Sequence, residues 1–383
     1  MQNVEPSEPC GDDRAPAAVT RRWPTRVTDL IDVRLPVVLA PMGGGPCTPD
    51  LVAAVGDAGG LGSLAAGYLS PGRILADVAA IRAKTSAPFA VNLFAADAAQ
   101  VAAGDMAAAL AAIAPLRVEL GLTPEPDVSV IAESLDGQLQ ALLSGPPRVV
   151  SFTFGIPDSD VVDALHSAGC LLVGTATTTE EARTVEAAGF DAVCVQGAEA
   201  GAHRGTFLSG SAGSLVGTLA LVPQVCDSVN IPVIASGGIM DGRGLAASLA
   251  LGAGAAQLGT AFLRCPEAGT ALAYRQALAS AADTSTALTS AVTGRMARGI
   301  ENRLMRTLEG GRVPPYPVMH ALTAELRRTA AAQGIADLMS LWCGQAVAMG
   351  TDLPAGEVVQ RLVAEALGVF REAPTDLVDD EVC

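Results

Sequence analysis

One small pattern recurs along the chain: an alanine-rich amphipathic stretch, a glycine able to take the left-handed conformation that ends a helix, then a short apolar run. It occurs as DLVAAVGDAGGLGSLA, DVVDALHSAGCLLVGTA, EEARTVEAAGFDAVCVQG and RGLAASLALGAGAAQLGTAF. Each copy reads as a helix-to-strand step. Helices alternating with continuous apolar strands imply parallel β-structure, because parallel strands need a crossover connection and are buried on both faces. Candidate strands fall at 36–40, 62–65, 89–93, 149–153, 171–175, 192–196, 232–236 and 256–259. Eight strands in βα alternation predict an α/β fold of the (β/α)8 TIM-barrel type. An open doubly wound sheet is the alternative, but it wants a glycine-rich fingerprint after its first strand. The nearest GxG, at Gly252 and Gly254, precedes a strand and reads as a helix end.

The barrel is expected over 26–282, after a polar tail at 1–25, with an inserted segment at about 95–147. Residues 283–383 read as a helical extension that caps one end of the barrel and finishes in a frayed C-terminus. Half of the residues are hydrophobic but only 3% are aromatic, so the core has to be built from Ala, Val, Leu and Ile.

A net charge of -16 repels phosphate backbones and anionic membrane surfaces, which argues against a nucleic-acid partner. Eight cysteines form no CxxC pair, and no His, Cys, Asp and Glu cluster has ligand spacing, so no metal site is expected. The thiols read as reduced, in a cytoplasmic protein. The N-terminal stretch lacks the apolar core of a signal peptide, and no run is long enough to span a membrane.

In a barrel, ligands bind at the C-terminal ends of the strands. The residues there are Met42 after the first strand, Asn92 at the end of the third, Gln196 at the sixth, Gly237 and Gly238 after the seventh, and Gln257, Leu258, Gly259 and Thr260 at the eighth. Glycines at the last two positions let backbone N–H groups approach a phosphate that also meets the start of the next helix, although ordinary tight turns would account for them too. The two amides offer the mixed donors and acceptors that a flavin ring edge needs. His203 follows the sixth strand on a loop with Gly197, Gly201 and Gly205, in QGAEAGAHRG, and has the placement of a general base. His166 reads as a surface residue, His320 as structural or lid-lining, and Cys47 as an inert buried thiol. A GxSxG nucleophile elbow is absent, which leaves a hydrolase without parts.

Taken together, LAPMGGG, AGGLGSLAAGY, PFAVNLF, QGAEAGAHRG, IPVIASGGI, AAQLGTAFL, GRMARGIEN and LMSLWCGQ resemble the FMN-dependent nitronate monooxygenases, formerly 2-nitropropane dioxygenases, from about 35 to 367. The resemblance implies FMN contacts at Met42, Asn92, Gln196, Gly201, Gly238 and Gln257 to Thr260. It implies His203 as the base that takes the proton beside the nitro group, and a small nitronate or nitroalkane that reacts with O2 to give a carbonyl and nitrite. Gly201-Ala202 stands where the family has a double glycine. Flavin enoyl-acyl-carrier reductases and NAD(P)H:quinone reductases are similar alternatives, and a non-catalytic flavin-binding protein is a third. For an acidic substrate such as propionate 3-nitronate, Arg204, Arg295 and Arg298 are the candidate cations.

Overall fold

In the computed structural model of the protein, residues 19–95, 101–128, 131–208 and 213–372 are described. The strands among them are β1 (Val37–Leu39), β2 (Gly62–Ala65), β3 (Phe89–Phe94), β4 (Val149–Thr153), β5 (Leu171–Ala176), β6 (Ala192–Gln196), β7 (Ala202–His203), β8 (Val233–Ser236), β9 (Ala255–Leu258), β10 (Thr286–Thr289) and β11 (Ala297–Ile300). Eight of them form one parallel sheet in the order β1-β9-β8-β6-β5-β4-β3-β2, and a parallel bridge between Val38 and Leu61 joins its two edges. The protein is therefore a (β/α)8 barrel, with each strand within about one residue of its expected position.

Parallel pairing sets which side chains enter the barrel, because they alternate faces along each strand. The register aligns Ala90 with Val149 and Asn92 with Ser151, then Gln196 with Ser236 and Ser236 with Gln257. The lower layer is small and apolar, with Ala90, Val149, Val173, Cys194 and Ile234 in one buried cluster. Val27 and Ile31 of the helix Arg26–Ile31 join that cluster and plug the barrel floor. Small side chains suffice there, which is why a chain so poor in aromatics can fill it. The upper layer holds Asn92, Ser151, Thr153, Thr175, Gln196, Ser236 and Gln257, a polar ring at the C-terminal ends of the strands.

A second core lies over that end. It is built from the helices Ala103–Glu119, Leu272–Ala279, Arg303–Leu308 and Val318–Ala332, with Leu341 and Cys343. The reading of everything beyond 282 as a helical extension is corrected in two respects. First, β10, β11 and β7 form an antiparallel sheet in the order β10-β11-β7, which couples the region to the His203 loop. Second, the helix Ala355–Glu372 packs in the barrel's outer layer. Its apolar positions Val358, Val359, Leu362, Val363 and Ala366 recur at helical spacing and join the barrel core, while Glu365 accepts from Gly242 N at 2.9 Å and Gln360 donates to the Ala58 carbonyl at 2.9 Å. The helix packs against helices Pro49–Asp57 and Gly242–Ala250 and covers their apolar surface. No helix among the described residues is long and apolar enough to cross a membrane.

If the last helix belongs to the barrel, Leu362→Ala costs about 2–4 kcal/mol of global stability, the price of a buried leucine. Denaturant unfolding is expected to show one cooperative transition at a lower midpoint; an unchanged midpoint with a separate early transition would make the helix an independent cap.

Candidate active site

Between the polar ring and the second core lies a cavity of about 640 Å³, within the range of small-ligand sites. Met42, Asn92, Gln196, Gly201, His203, Gly237, Gly238, Gln257, Leu258, Gly259 and Thr260 all line it. Gly237 and Gly238 have φ of 119° and 72°, which lets the turn after β8 expose its amides. The N–H groups of Gly238, Gly259 and Thr260 donate to no other group among the described residues. Unshared amides on a cavity wall form a cradle for an anion. Helix starts contribute less than the sequence implied: Asp241 caps the helix Gly242–Ala250, and Glu199 occupies the first amide of the helix Thr218–Cys226.

The two amide side chains differ in their use. Asn92 Nδ2 lies 3.0 Å from Ser151 Oγ and 3.1 Å from Thr153 Oγ1, so its Oδ1 remains as acceptor. Gln196 is spent on the loop, donating to the His203 carbonyl at 3.0 Å and accepting from Gly205 N at 2.8 Å. Gln257 has no side-chain partner among the described residues. Met42 packs where a Cβ on Gly259 would come within 3.5 Å of its sulfur.

His203 sits on β7, opposite Ala297 of β11. Gly201 has no room for a side chain, since a Cβ there would come within 2.4 Å of the Cys343 carbonyl carbon. The adjacent Ala202 takes φ of 60°, a left-handed conformation that costs an L-residue roughly 1–2 kcal/mol. Around the imidazole stand Phe154, Tyr316 and Trp342, at 5.8, 5.6 and 5.9 Å between ring centroids. Burial in this box, with Arg295 and Arg327 adding positive potential, lowers its pKa to about 3. His203 is therefore a neutral ring, able to accept a proton. His320 is stacked on Tyr68 at 4.4 Å and is held neutral by burial and by the charge of Arg327, which lower its pKa to about 2. His166 lies away from the cavity, paired with Asp191 at 3.0 Å. Cys47 is kept protonated, its pKa raised to about 12 by burial.

The cations are not those the sequence singled out. Arg204 donates to the carbonyls of Gly197, Gln196 and Ser214, Arg295 to those of Arg204 and Thr206 while lying over Phe154, and Arg298 to the Ala198 carbonyl. None of the three lines the cavity, because each is used to pin loop backbone. Arg327 and Arg328 line it instead, and no carboxylate does among the described residues. Among the described residues Arg327 donates to neutral acceptors only, the Thr323 and His320 carbonyls, Thr323 Oγ1, Ser340 Oγ and His320 Nδ1. Nothing in the sequence of a helix face marks such an arginine, since its surroundings come from several distant segments.

With this geometry in view, the relatives are informative. Residues 24–365 match the family described as nitronate monooxygenase. The chain belongs to the nitronate monooxygenase family. It is 42% identical over 349 residues to the nitronate monooxygenase of Pseudomonas aeruginosa strain PAO1, covering 90% of this chain and 99% of that one. It also resembles the crystal structure of a nitroalkane oxidase from Streptomyces ansochromogenes, with a TM-score of 0.85, 43% identity and coverage of 90% and 100%. FabK from Thermotoga maritima shares the fold at a TM-score of 0.72 and 29% identity, covering 91% and 98%. Nitronate monooxygenases are oxidoreductases that depend in general on flavin, and no group of residues suited to a metal ion is found among the described residues.

The two depressed histidines make stability pH-dependent. Unfolded, both rings bind protons below about pH 6.5; folded, they stay neutral until about pH 3 and 2. In that window the unfolded state holds more protons, so their contribution is full above pH 6.5 and is lost progressively as pH falls toward 3. Melting temperature measured from pH 7 to 4 should fall, and His320→Gln should flatten part of the slope.

Proposed function

We propose that this member of the family oxidises alkyl nitronates, and neutral nitroalkanes less readily, using FMN and O2 to give a carbonyl compound and nitrite. The observation that carries the reading is the presence, in one cavity lined by no carboxylate among the described residues, of a neutral imidazole and of backbone amides at the ends of β8 and β9 that no described group shares. The amides of Gly238, Gly259 and Thr260 suit one phosphate, which favours a mononucleotide. Asn92 and Gln257 are placed for the ring edge, with Met42, Leu258, Gly201 and Gly237 as the surrounding wall, and Gln196 acts by holding the His203 loop. When bound, the flavin supplies the electron acceptor that the protein's own side chains lack.

The charge arrangement favours a nitronate. Arg327 and Arg328 draw an anion into a cavity without a competing carboxylate among the described residues. A nitronate already lacks the proton beside its nitro group, whereas a neutral nitroalkane must give that proton to His203, a weak base while the cavity holds no counter-charge. Phe154, Tyr316 and Trp342, set edge-on or tilted around His203, limit water around the imidazole. The six described cysteines are free, which suits a reducing cytoplasmic setting.

Two measurements test this. Anaerobic addition of a nitronate to the yellow holoenzyme should bleach the flavin and air should restore it, with little effect of NADH or NADPH; rapid bleaching by either nicotinamide and none by any nitronate would favour the reductases. His203→Asn should keep its flavin and lose ~10²-fold on neutral nitroalkanes but less on nitronates, and equal losses would leave His203 as a positioning residue.

If the substrate carries a carboxylate, as propionate 3-nitronate does, that group pairs with Arg327. Arg327→Met then raises KM for the carboxylate-bearing nitronate about tenfold, the size of one charged hydrogen bond, and raises it less for an alkyl nitronate with no second charge. Steady-state oxygen uptake on the two substrates checks the difference.

A further inference from the structure

Thr293 lies on the turn leading into β11 and is 1% exposed. Its Oγ1 stands 2.9 Å from His203 Nε2 and 3.2 Å from the carbonyl oxygen of Arg295. A hydroxyl has one proton to give and lone pairs to accept with, so only two arrangements are available. In one, His203 Nε2–H donates to Thr293 Oγ1, whose own proton goes to the Arg295 carbonyl. In the other, Thr293 donates to Nε2, the imidazole proton moves to Nδ1, and the Arg295 carbonyl is left without a donor among the described residues. The first leaves only the Nδ1 lone pair unpaired and forms a continuous donor chain, whereas the second leaves both an Nδ1–H and a carbonyl unpaired, so the first is the stable one. It also leaves the Nδ1 lone pair free. Nδ1 has no hydrogen-bond partner among the described residues and is not fully buried, and His203 lines the cavity. Its open side therefore faces the space where a substrate binds.

We propose that Thr293 is the positioning residue for His203: its hydroxyl accepts the Nε2 proton and so presents the Nδ1 lone pair to the substrate. This rests on the reading of His203 as the base. In the step it serves, the C–H bond beside the nitro group breaks, the proton goes to Nδ1, and the electron pair stays on the substrate as the nitronate. The resulting imidazolium keeps donating through Nε2 to Thr293. A hydroxyl backed by a carbonyl stabilises that charge less than a carboxylate would, which is consistent with a site better suited to substrates that arrive already deprotonated. The backbone of His203 is held separately, by Gln196 and by pairing with β11, so Thr293 is left to govern the ring.

The test uses holoenzyme labelled with 15N-histidine. With three histidines in the chain, His203 can be assigned from the signal missing in His203→Asn. Its Nε2 is expected to carry the proton, and Thr293→Val should shift the ring toward the other tautomer or a mixture while Thr293→Ser restores it. In parallel, kcat/KM of Thr293→Val should fall roughly tenfold on a neutral nitroalkane, the size of one charged hydrogen bond, and fall less on a pre-formed nitronate. A wild-type ring protonated on Nδ1, or a Thr293→Val protein with an unchanged tautomer, overturns the proposal. If the tautomer is as stated but His203→Asn keeps its nitroalkane activity, the base reading fails and the catalytic role of Thr293 fails with it, although the contact itself stands.

Discussion

Everything at the site depends on a single geometric constraint, the two-residue alternation of side chains along strands held in parallel register. Once Ala90 is aligned with Val149, Asn92 must stand beside Ser151, and the same step carries round the barrel to Gln196, Ser236 and Gln257. The lower layer then consists of small apolar groups sealed by Val27 and Ile31, and the upper layer of polar ones. Slipping any strand by one residue would bury the amides against the outer helices and put aliphatic side chains into the ligand space.

A second interaction turns this barrel end into a site. The short pairing of His203 with Ala297 ties the loop after β6 to the region beyond the barrel, and Gly201 meets the backbone of Cys343 and Gly344 at a distance that excludes a side chain. Gln345 N donates to the Glu199 carbonyl at 3.0 Å and Gly344 N to Thr260 Oγ1 at 2.9 Å, so the loops after β6 and β9 share one partner. The left-handed Ala202 is the strained member, and the surrounding hydrogen bonds offset its cost.

Electrostatically the protein divides in two. Its overall charge of -16 discourages polyanions at the surface, while the cavity holds Arg327 and Arg328 with no carboxylate among its described lining residues. Arg204 and Arg295, in the loops beside the site, are consumed by main-chain carbonyls. The cavity lining is therefore positive beneath a negative surface, and the histidines beside it stay neutral.

The alternation of helix, glycine and strand was enough to place the eight barrel strands, because each unit is local and its burial pattern is written in consecutive residues. It also located the cavity wall, since barrel geometry puts the residues after each strand at the same end: Met42, Asn92, Gln196, Gly238, Gln257 and Thr260 follow from that rule alone. What the tertiary structure decided concerns groups whose partners are distant in sequence. A two-residue strand such as β7 leaves no periodic trace, and the helix Ala355–Glu372 has the same amphipathic pattern whether it covers a barrel or forms a lid. Arg204, Arg295, Arg298 and Arg327 are equivalent cations in the sequence, and only the carbonyls and rings that surround them separate a backbone pin from a charge facing the cavity. Likewise Thr293 is an unremarked threonine in sequence, and only the fold sets its hydroxyl against the ring of His203, because side-chain hydrogen bonds between remote segments depend on packing that no local pattern encodes.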